Sequence, residues 1–291
     1  MTSSNPIPRV VAVHDLSGLG RVALMVVIPI LSSMGIQVTP LPTAVLSANT
    51  NYKDFKMLDL SEQMKLFLEH WKTQDIYFDA IYTGFLGSSI QVDIVKDLIK
   101  NFCKKRTLTV IDPVLGDDGR AYTTVDNQLI KKMSELISYA DVITPNLTEV
   151  FLLLNKPFKK CSSIDELKDI AHQLACKGPK TVIITSVDDY QKKNLTSVIA
   201  YDRLNNKFWK VSCSYIPATY PGTGDVFTSV LTGCLLQGDT LPIALDRAVN
   251  FTSIAVRTTY GRNYDYKEGV IIEKILDTLK SPVMVSSYEI I

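Results

Sequence analysis

The segment Pro221-Gly222-Thr223-Gly224-Asp225 carries the strongest chemical signal in the chain. Glycines on either side of Thr223 let consecutive backbone N–H groups turn toward one point. A helix expected to begin near Asp225 adds its positive end. Together they make a site for an anion, phosphate above all. A carboxylate beside bound phosphate is repelled unless it serves to take a proton from an attacking hydroxyl, and that gives Asp225 a chemical role. Asp is also a favoured helix N-cap, so on this segment alone both readings stay open.

Two further segments place hard oxygen donors after strands. These are Asp112-Pro113-Val114-Leu115-Gly116 and Thr144-Pro145-Asn146-Leu147-Thr148-Glu149. Such donors near a phosphate site suit Mg²⁺, partly through water. The alternative is two turns, with Pro113 and Pro145 ending strands and Asn146 capping a helix. Gly18-Leu19-Gly20-Arg21-Val22-Ala23 matches a dinucleotide fingerprint. However, His14-Asp15-Leu16-Ser17 makes the first turn too long, and the stretch about twenty residues on holds no carboxylate for a ribose. The glycines still allow backbone to approach a ligand. His14 itself reads as a packed, hydrogen-bonded histidine at a strand end. Met64, Phe67, Leu68 and Trp71 read as core.

Other chemistries lack their parts. There is no GxxxxGK[ST], no HExxH and no GxSxG, and the chain has only three histidines. Lys plus Arg number 31 against 30 for Asp plus Glu, so no electrostatic footprint for nucleic acid or anionic membrane exists. The five cysteines include no CxxC, which fits reduced thiols in a cytoplasmic protein. The first residues lack a secretory signal pattern. Residues 22–52 carry no charge, yet Pro29, Gly35, Pro40 and Pro42 interrupt them. A span needs about 18 or more consecutive apolar residues, so a buried helix and strand are expected there.

The elements that must position these groups follow from periodicity. Short β-branched runs (9–14, 37–46, 79–83, 107–112, 142–144, 181–185) alternate with helical patterns at 22–34, 61–73, 92–102, 126–140, 147–154 and 164–176. A hairpin is expected around Leu204-Asn205-Asn206, and helices at 225–236, 241–260 and 269–279 close the chain. Unbroken apolar strands between helices predict an α/β fold, a central mostly parallel sheet with helices on both faces. No linker, charge block or repeat divides residues 1–291, so one domain is expected. In such sheets ligands collect beyond the carboxyl ends of the strands, where all the segments above lie.

SANTNY (Ser47–Tyr52), TGFLGS (Thr83–Ser88), DPVLGDDG (Asp112–Gly119), TPNLTE (Thr144–Glu149) and GTGD (Gly222–Asp225) occur in this order. In this the chain resembles the ribokinase-like small-molecule kinases, and within them the pyridoxal (vitamin B6) kinases, over nearly its whole length. The resemblance implies a mixed sheet of roughly eight strands, a homodimer, and ATP-dependent phosphorylation of the 5′-hydroxymethyl group of pyridoxal, pyridoxine and pyridoxamine. It makes Asp225 the catalytic base and Gly222, Thr223 and Gly224 the anion hole. Asp112 and Glu149 match a magnesium–phosphate network, and Thr144, Asn146, Thr185, Ser186 and Thr223 match nucleotide-binding positions. Thr50 and Asn51 align with the substrate loop, and Phe85 stands where many relatives stack a Tyr on the ring. A monovalent cation such as K⁺ is also implied. Residues 116–124 are rich in Gly and charge and suggest a mobile flap.

The chain departs from that pattern at the end of its first strand. Many pyridoxal kinases carry there a Ser that meets the ring; Asp15 stands in its place, with Ser17 two residues on. The run Asp15–Gly20 is closer to hydroxymethylpyrimidine kinases of thiamine synthesis. Those commonly have Cys at the position of Asp225 and lack the SxxTxY loop. A non-catalytic vitamin or nucleotide sensor on the same fold is the alternative of another class, and it would have no need of Asp225.

Overall fold

The computed structural model describes residues 6–74, 76–188, 194–281 and 287–291. The reading of the N-terminus rests partly on residues 1–5, which lie outside them. The strands are β1 (Arg9–Ser17), β2 (Gln37–Leu46), β3 (Met57–Asp59), β4 (Ala80–Thr83), β5 (Leu108–Ile111), β6 (Gly116–Asp117), β7 (Arg120–Ala121), β8 (Val142–Ile143), β9 (Thr181–Asp188), β10 (Leu195–Asp202), β11 (Lys207–Ser214) and β12 (Tyr288–Ile290). The helices are α1 (Leu24–Ser33), α2 (Ser61–Lys72), α3 (Ser89–Phe102), α4 (Asn127–Leu136), α5 (Leu147–Leu153), α6 (Ile164–Ala175), α7 (Thr223–Leu236) and α8 (Leu241–Thr259).

Ten strands form one sheet in the order β12-β11-β10-β9-β8-β5-β4-β1-β2-β3. From β2 to β9 every neighbouring pair is parallel. The remaining strands pair antiparallel at the two ends. The count exceeds the roughly eight strands implied by resemblance because of two three-residue edge strands, β3 and β12. Alternation along β1 shows why the fold holds. Val11 and Val13 face one core with α2–α6, while Val10 and Ala12 face the other with α1, α7 and α8.

β1 sits between β2 and β4, so the chain leaves it first to one side and later returns to the other. That reversal is the topological switch point where such sheets open a crevice. The register of β1 on β2 slips between His14 and Leu16, and β1 runs to Ser17, three residues beyond the expected end.

Two local expectations fail. Residues 269–279 form no helix but a strap whose Val270, Ile272 and Ile275 enter the core, ending in a 3-10 turn at Leu276–Lys280. Its start is held by tertiary bonds, Ile271 N–H to Thr259 Oγ1 among them. Phe67 is 43 % exposed and lies beside the buried face of α2, which Met64 and Leu68 form with half-buried Trp71. Among the described residues no helix is long and apolar enough to cross a membrane, and residues 24–46 divide into α1 and β2.

Candidate active site

Asp225 lies in the first turn of α7, but it does not cap it. The helix starts at Thr223, its N-cap is Gly222, and no side chain caps it. Gly222 has φ 81°, and a Cβ there would stand 2.1 Å from the carbonyl oxygen of Arg21, so only glycine fits. Gly224 is exposed, and a Cβ there would meet only Asp112 Oδ2, at 3.8 Å. The helix start is therefore open on the side that faces Asp112. The Thr223 hydroxyl donates to the carbonyl of Tyr220.

The Asp225 carboxylate is anchored from the β1–α1 turn. Its Oδ2 accepts the backbone N–H of Ala23 at 2.9 Å. Ala23 has φ 49° and ψ −131°, a positive-φ conformation rare outside glycine. Burial pushes the Asp225 pKa from 3.8 to about 7; the Ala23 N–H opposes the rise and the nearby Asp15 charge adds to it. A carboxylate near neutrality is suited to accept a proton.

Around it the sheet edge gathers other acids. Asp112, just past β5, is buried, and burial together with the Asp225 charge holds its carboxyl well above the ordinary range, against a hydrogen bond from Thr144. Thr144 is buried and accepts the Thr228 hydroxyl from α7. Asp15 is buried on the first strand, and its Oδ2 accepts the Ser17 hydroxyl at 2.9 Å. Burial raises its pKa to about 6, with the Ser17 bond pulling the other way. Arg21 does not serve Asp15. It is paired with Glu273 and donates to Tyr264 and to the Glu268 carbonyl. Among the described residues no lysine or arginine forms an ion pair with Asp15, Asp112, Glu149 or Asp225.

Asn146 and Glu149 form a capping box at the start of α5. Glu149 Oε2 accepts the Asn146 N–H and Oε1 accepts the Leu115 N–H, while Asn146 Nδ2 donates to the Gly116 carbonyl. Both residues thus brace the 112–116 loop. The Glu149 carboxyl is raised by burial and by Asp112, partly offset by those two N–H donors. Among the described residues no three His, Cys, Asp or Glu side chains converge as a metal cage. Buried carboxylates without a basic partner nevertheless suit a divalent cation of the Mg²⁺ kind. Such an ion takes one or two carboxylates, waters and phosphate oxygens rather than an all-protein cage.

The other expected positions spread along the same edge. Thr185, half-buried, bridges Asn146, and Ser186 is exposed at φ 55°. Residues 116–121 form a small hairpin, β6–β7, with Asp118 and Gly119 both at positive φ; Gly119 N–H donates to Thr148. Phe85 is half-buried, and its carbonyl accepts the Thr43 hydroxyl. Thr50 and Asn51 are exposed on a loop whose neighbours do the holding. Asn49 Nδ2 donates to the Lys267 carbonyl and the Tyr52 hydroxyl to Glu268. Sequence reasoning missed Asn49, Tyr52, Glu268 and Tyr82. Tyr82 is a buried β4 residue whose hydroxyl lies within the fields of Asp225 and Asp112. In sequence Tyr82 is one more apolar strand position, and the partner of Tyr52 is 216 residues away.

His14 is fully buried, as a packed histidine should be, but it is not hydrogen-bonded. Neither ring nitrogen has a partner among the described residues. Nδ1 lies 3.7 Å from Asp225 Oδ1.

The chain matches the model of the phosphomethylpyrimidine kinase family over residues 30–270. It is similar to a Bacteroides thetaiotaomicron protein named as a phosphomethylpyrimidine kinase and crystallised with pyridoxal. Identity is 55 %, the TM-score is 0.95, and the match covers 98 % of this chain and 100 % of that one. Pyridoxal kinase from Lactobacillus plantarum is 29 % identical with a TM-score of 0.86, over 94 % and 97 % of the two chains. The hydroxymethylpyrimidine/phosphomethylpyrimidine kinase of Bacillus subtilis is 29 % identical over 65 % of this chain and 67 % of its own length.

Proposed function

Since the chain belongs to the phosphomethylpyrimidine kinase family, has the ribokinase-like fold and is a phosphotransferase, we propose that it transfers the γ-phosphoryl group of ATP to the 5′-hydroxymethyl of pyridoxal. Pyridoxine and pyridoxamine are acceptors of the same kind, and the product is the 5′-phosphate formed in B6 salvage. The observation that carries this reading is Asp225: a carboxylate with a pKa of about 7, beside an open helix start, at the switch point of the sheet. The relative crystallised with pyridoxal supports the choice of acceptor.

In the step proposed, the substrate O–H bond breaks and its proton passes to Asp225. The freed oxygen bonds to the γ-phosphorus, and the bond from that phosphorus to the β-phosphate bridging oxygen breaks to release ADP. Catalysis of this kind rests on alignment and charge neutralisation. The N–H groups at Gly222, Thr223 and Gly224 face the transferring group. Thr144, Asn146, Thr185 and Ser186 line the nucleotide side, and Thr50, Asn51, Phe85, Asp15 and Ser17 the acceptor side. Asp112, with Glu149 behind it, would hold Mg²⁺, which when bound supplies positive charge to the ATP phosphates. K⁺ as a second cation, a cytoplasmic location, a homodimer and a single domain over residues 1–291 belong to the same reading.

A second reading has its own support. The Asp15–Gly20 run and the B. subtilis relative favour a hydroxymethylpyrimidine acceptor. A sensor role finds no support in a base poised near neutrality. The deciding experiment is an ADP-release assay with pyridoxal, pyridoxine, pyridoxamine and hydroxymethylpyrimidine. The expected result is the highest kcat/KM for a B6 vitamer. Turnover with the pyrimidine alone overturns the proposal, and no turnover with any acceptor favours the sensor.

A further inference from the structure

His14 has no task in the reaction just described, yet its surroundings are built for one. The ring is completely buried within β1, three residues before its end, and both nitrogens lack a hydrogen-bond partner among the described residues. Buried polar atoms are normally paired, so two orphans on one ring ask for a reason. The ring is held on two sides. Its edge meets the Tyr82 ring at 4.4 Å between centroids and 77° between planes. Gly84 presses from just past the end of β4, where a Cβ would stand 2.3 Å from Nδ1. The absence of a side chain at 84 therefore makes the room the imidazole occupies. Held in this way, Nδ1 lies 3.7 Å from Asp225 Oδ1.

Among the described residues that oxygen accepts no hydrogen bond. Asp225 Oδ2 is already fixed by the Ala23 N–H at 2.9 Å. A gap of 3.7 Å is too narrow for a water between the two atoms and slightly too long for a hydrogen bond. Catalytic hydrogen bonds often have this length before substrate binds and shorten in the complex.

We propose that His14 is a positioning residue for Asp225: its neutral imidazole donates an Nδ1–H hydrogen bond to Oδ1 when the acceptor alcohol is bound. The carboxylate is then gripped at both oxygens, by Ala23 from the β1–α1 turn and by His14 from the strand below. Its remaining lone pairs face the substrate hydroxyl. Burial keeps the ring uncharged, with a pKa lowered to about 3, so His14 contributes a donor and no charge and keeps its own proton. The inference rests on Asp225 acting as the base.

The test combines a tautomer measurement with a rescue series. The chain has only three histidines, which makes ¹⁵N-imidazole spectra assignable by substitution. With pyridoxal bound, His14 is expected as the neutral Nδ1–H tautomer. His14→Phe keeps a ring but no donor and should lower kcat about tenfold, the scale of one lost hydrogen bond. His14→Asn sets an amide N–H near the Nδ1 position and should restore most of that loss. KM for ATP should not move in either variant. An Nε2–H tautomer, or equal kcat for the Phe and Asn variants, overturns the proposal. The tautomer is read without turnover, and Asp225→Asn tests the base separately, so failure of one reading is distinguishable from failure of the other.

Discussion

Replacing Asp225 by Asn should make the ligand-free protein more stable while nearly abolishing its activity. The sign follows from the pKa, raised from 3.8 to about 7 chiefly by burial. A carboxyl with a raised folded pKa costs nothing below about pH 3, where it is neutral in both states; its cost grows with pH and is complete above about pH 7. Taken at face value that rise corresponds to roughly 4 kcal/mol at pH 8 and about 1.5 kcal/mol at pH 5. Asn pays none of it, and its amide oxygen can still accept the Ala23 N–H that now binds Oδ2 at 2.9 Å. Its NH₂ must then face His14 Nδ1, 3.7 Å from the replaced Oδ1. With that mismatch and with solvent reaching the 15 % exposed side chain, a net gain of about 1–3 kcal/mol at pH 8 is expected. Turnover should fall about 10²- to 10⁴-fold, the range for a positioned general base. Denaturant titrations at pH 5 and 8 without ligand, alongside the ADP-release assay, measure both. A variant no more stable than the parent at pH 8, or equally favoured at both pH values, refutes the raised carboxylate. Turnover within a few-fold of the parent refutes the base.

Asp15→Ala should raise KM for pyridoxal far more than KM for ATP, because a carboxylate held by Ser17 can accept from a protonated ring nitrogen; the two constants moving together would leave Asp15 a structural strand residue with no part in acceptor binding. With its pKa at about 6, Asp15 loses its charge below that pH, so pyridoxal affinity should weaken on acidification past pH 6, measurable by fluorescence titration. Gly222→Ala forces a Cβ to 2.1 Å from the Arg21 carbonyl at φ 81°, and should cost about 1–3 kcal/mol and most of the activity. Unchanged thermal unfolding would contradict that geometry. Glu149→Gln turns an NH₂ toward the Asn146 or Leu115 N–H, at a cost of about 1–3 kcal/mol. A shifted Mg²⁺ titration with unchanged stability would instead place Glu149 at the ion.

Much of this molecule was legible in its sequence because the signals are local. β-branched runs stopped by turns marked the parallel strands, as 37–46 marks β2 to the residue. Gly222 and Gly224 could be read as an anion-accepting turn because backbone freedom is a property of the residues themselves. Asp112, Glu149 and Asp225 can be named because segments after buried strands collect at one edge; Asp15 stands out only through the resemblance, where many relatives carry a Ser. Tertiary structure decided what each group is. In sequence Asp225 suits capping a helix equally well; in the fold Gly222 takes the cap and Ala23, 202 residues away, donates to its oxygen. The resemblance implies a metal-network role for Glu149, whereas the fold gives both its oxygens to backbone N–H groups. Residues 269–279 have a helical pattern, but the Thr259 hydroxyl holds the start of the strap and its apolar residues fill gaps between elements. His14 was expected to find a hydrogen bond at its strand end; its ring is enclosed by Tyr82 and Gly84 instead, facing Asp225. Composition and periodicity specify which face of an element is buried. Burial by distant segments sets the dielectric and the partners, and those set a side chain's charge.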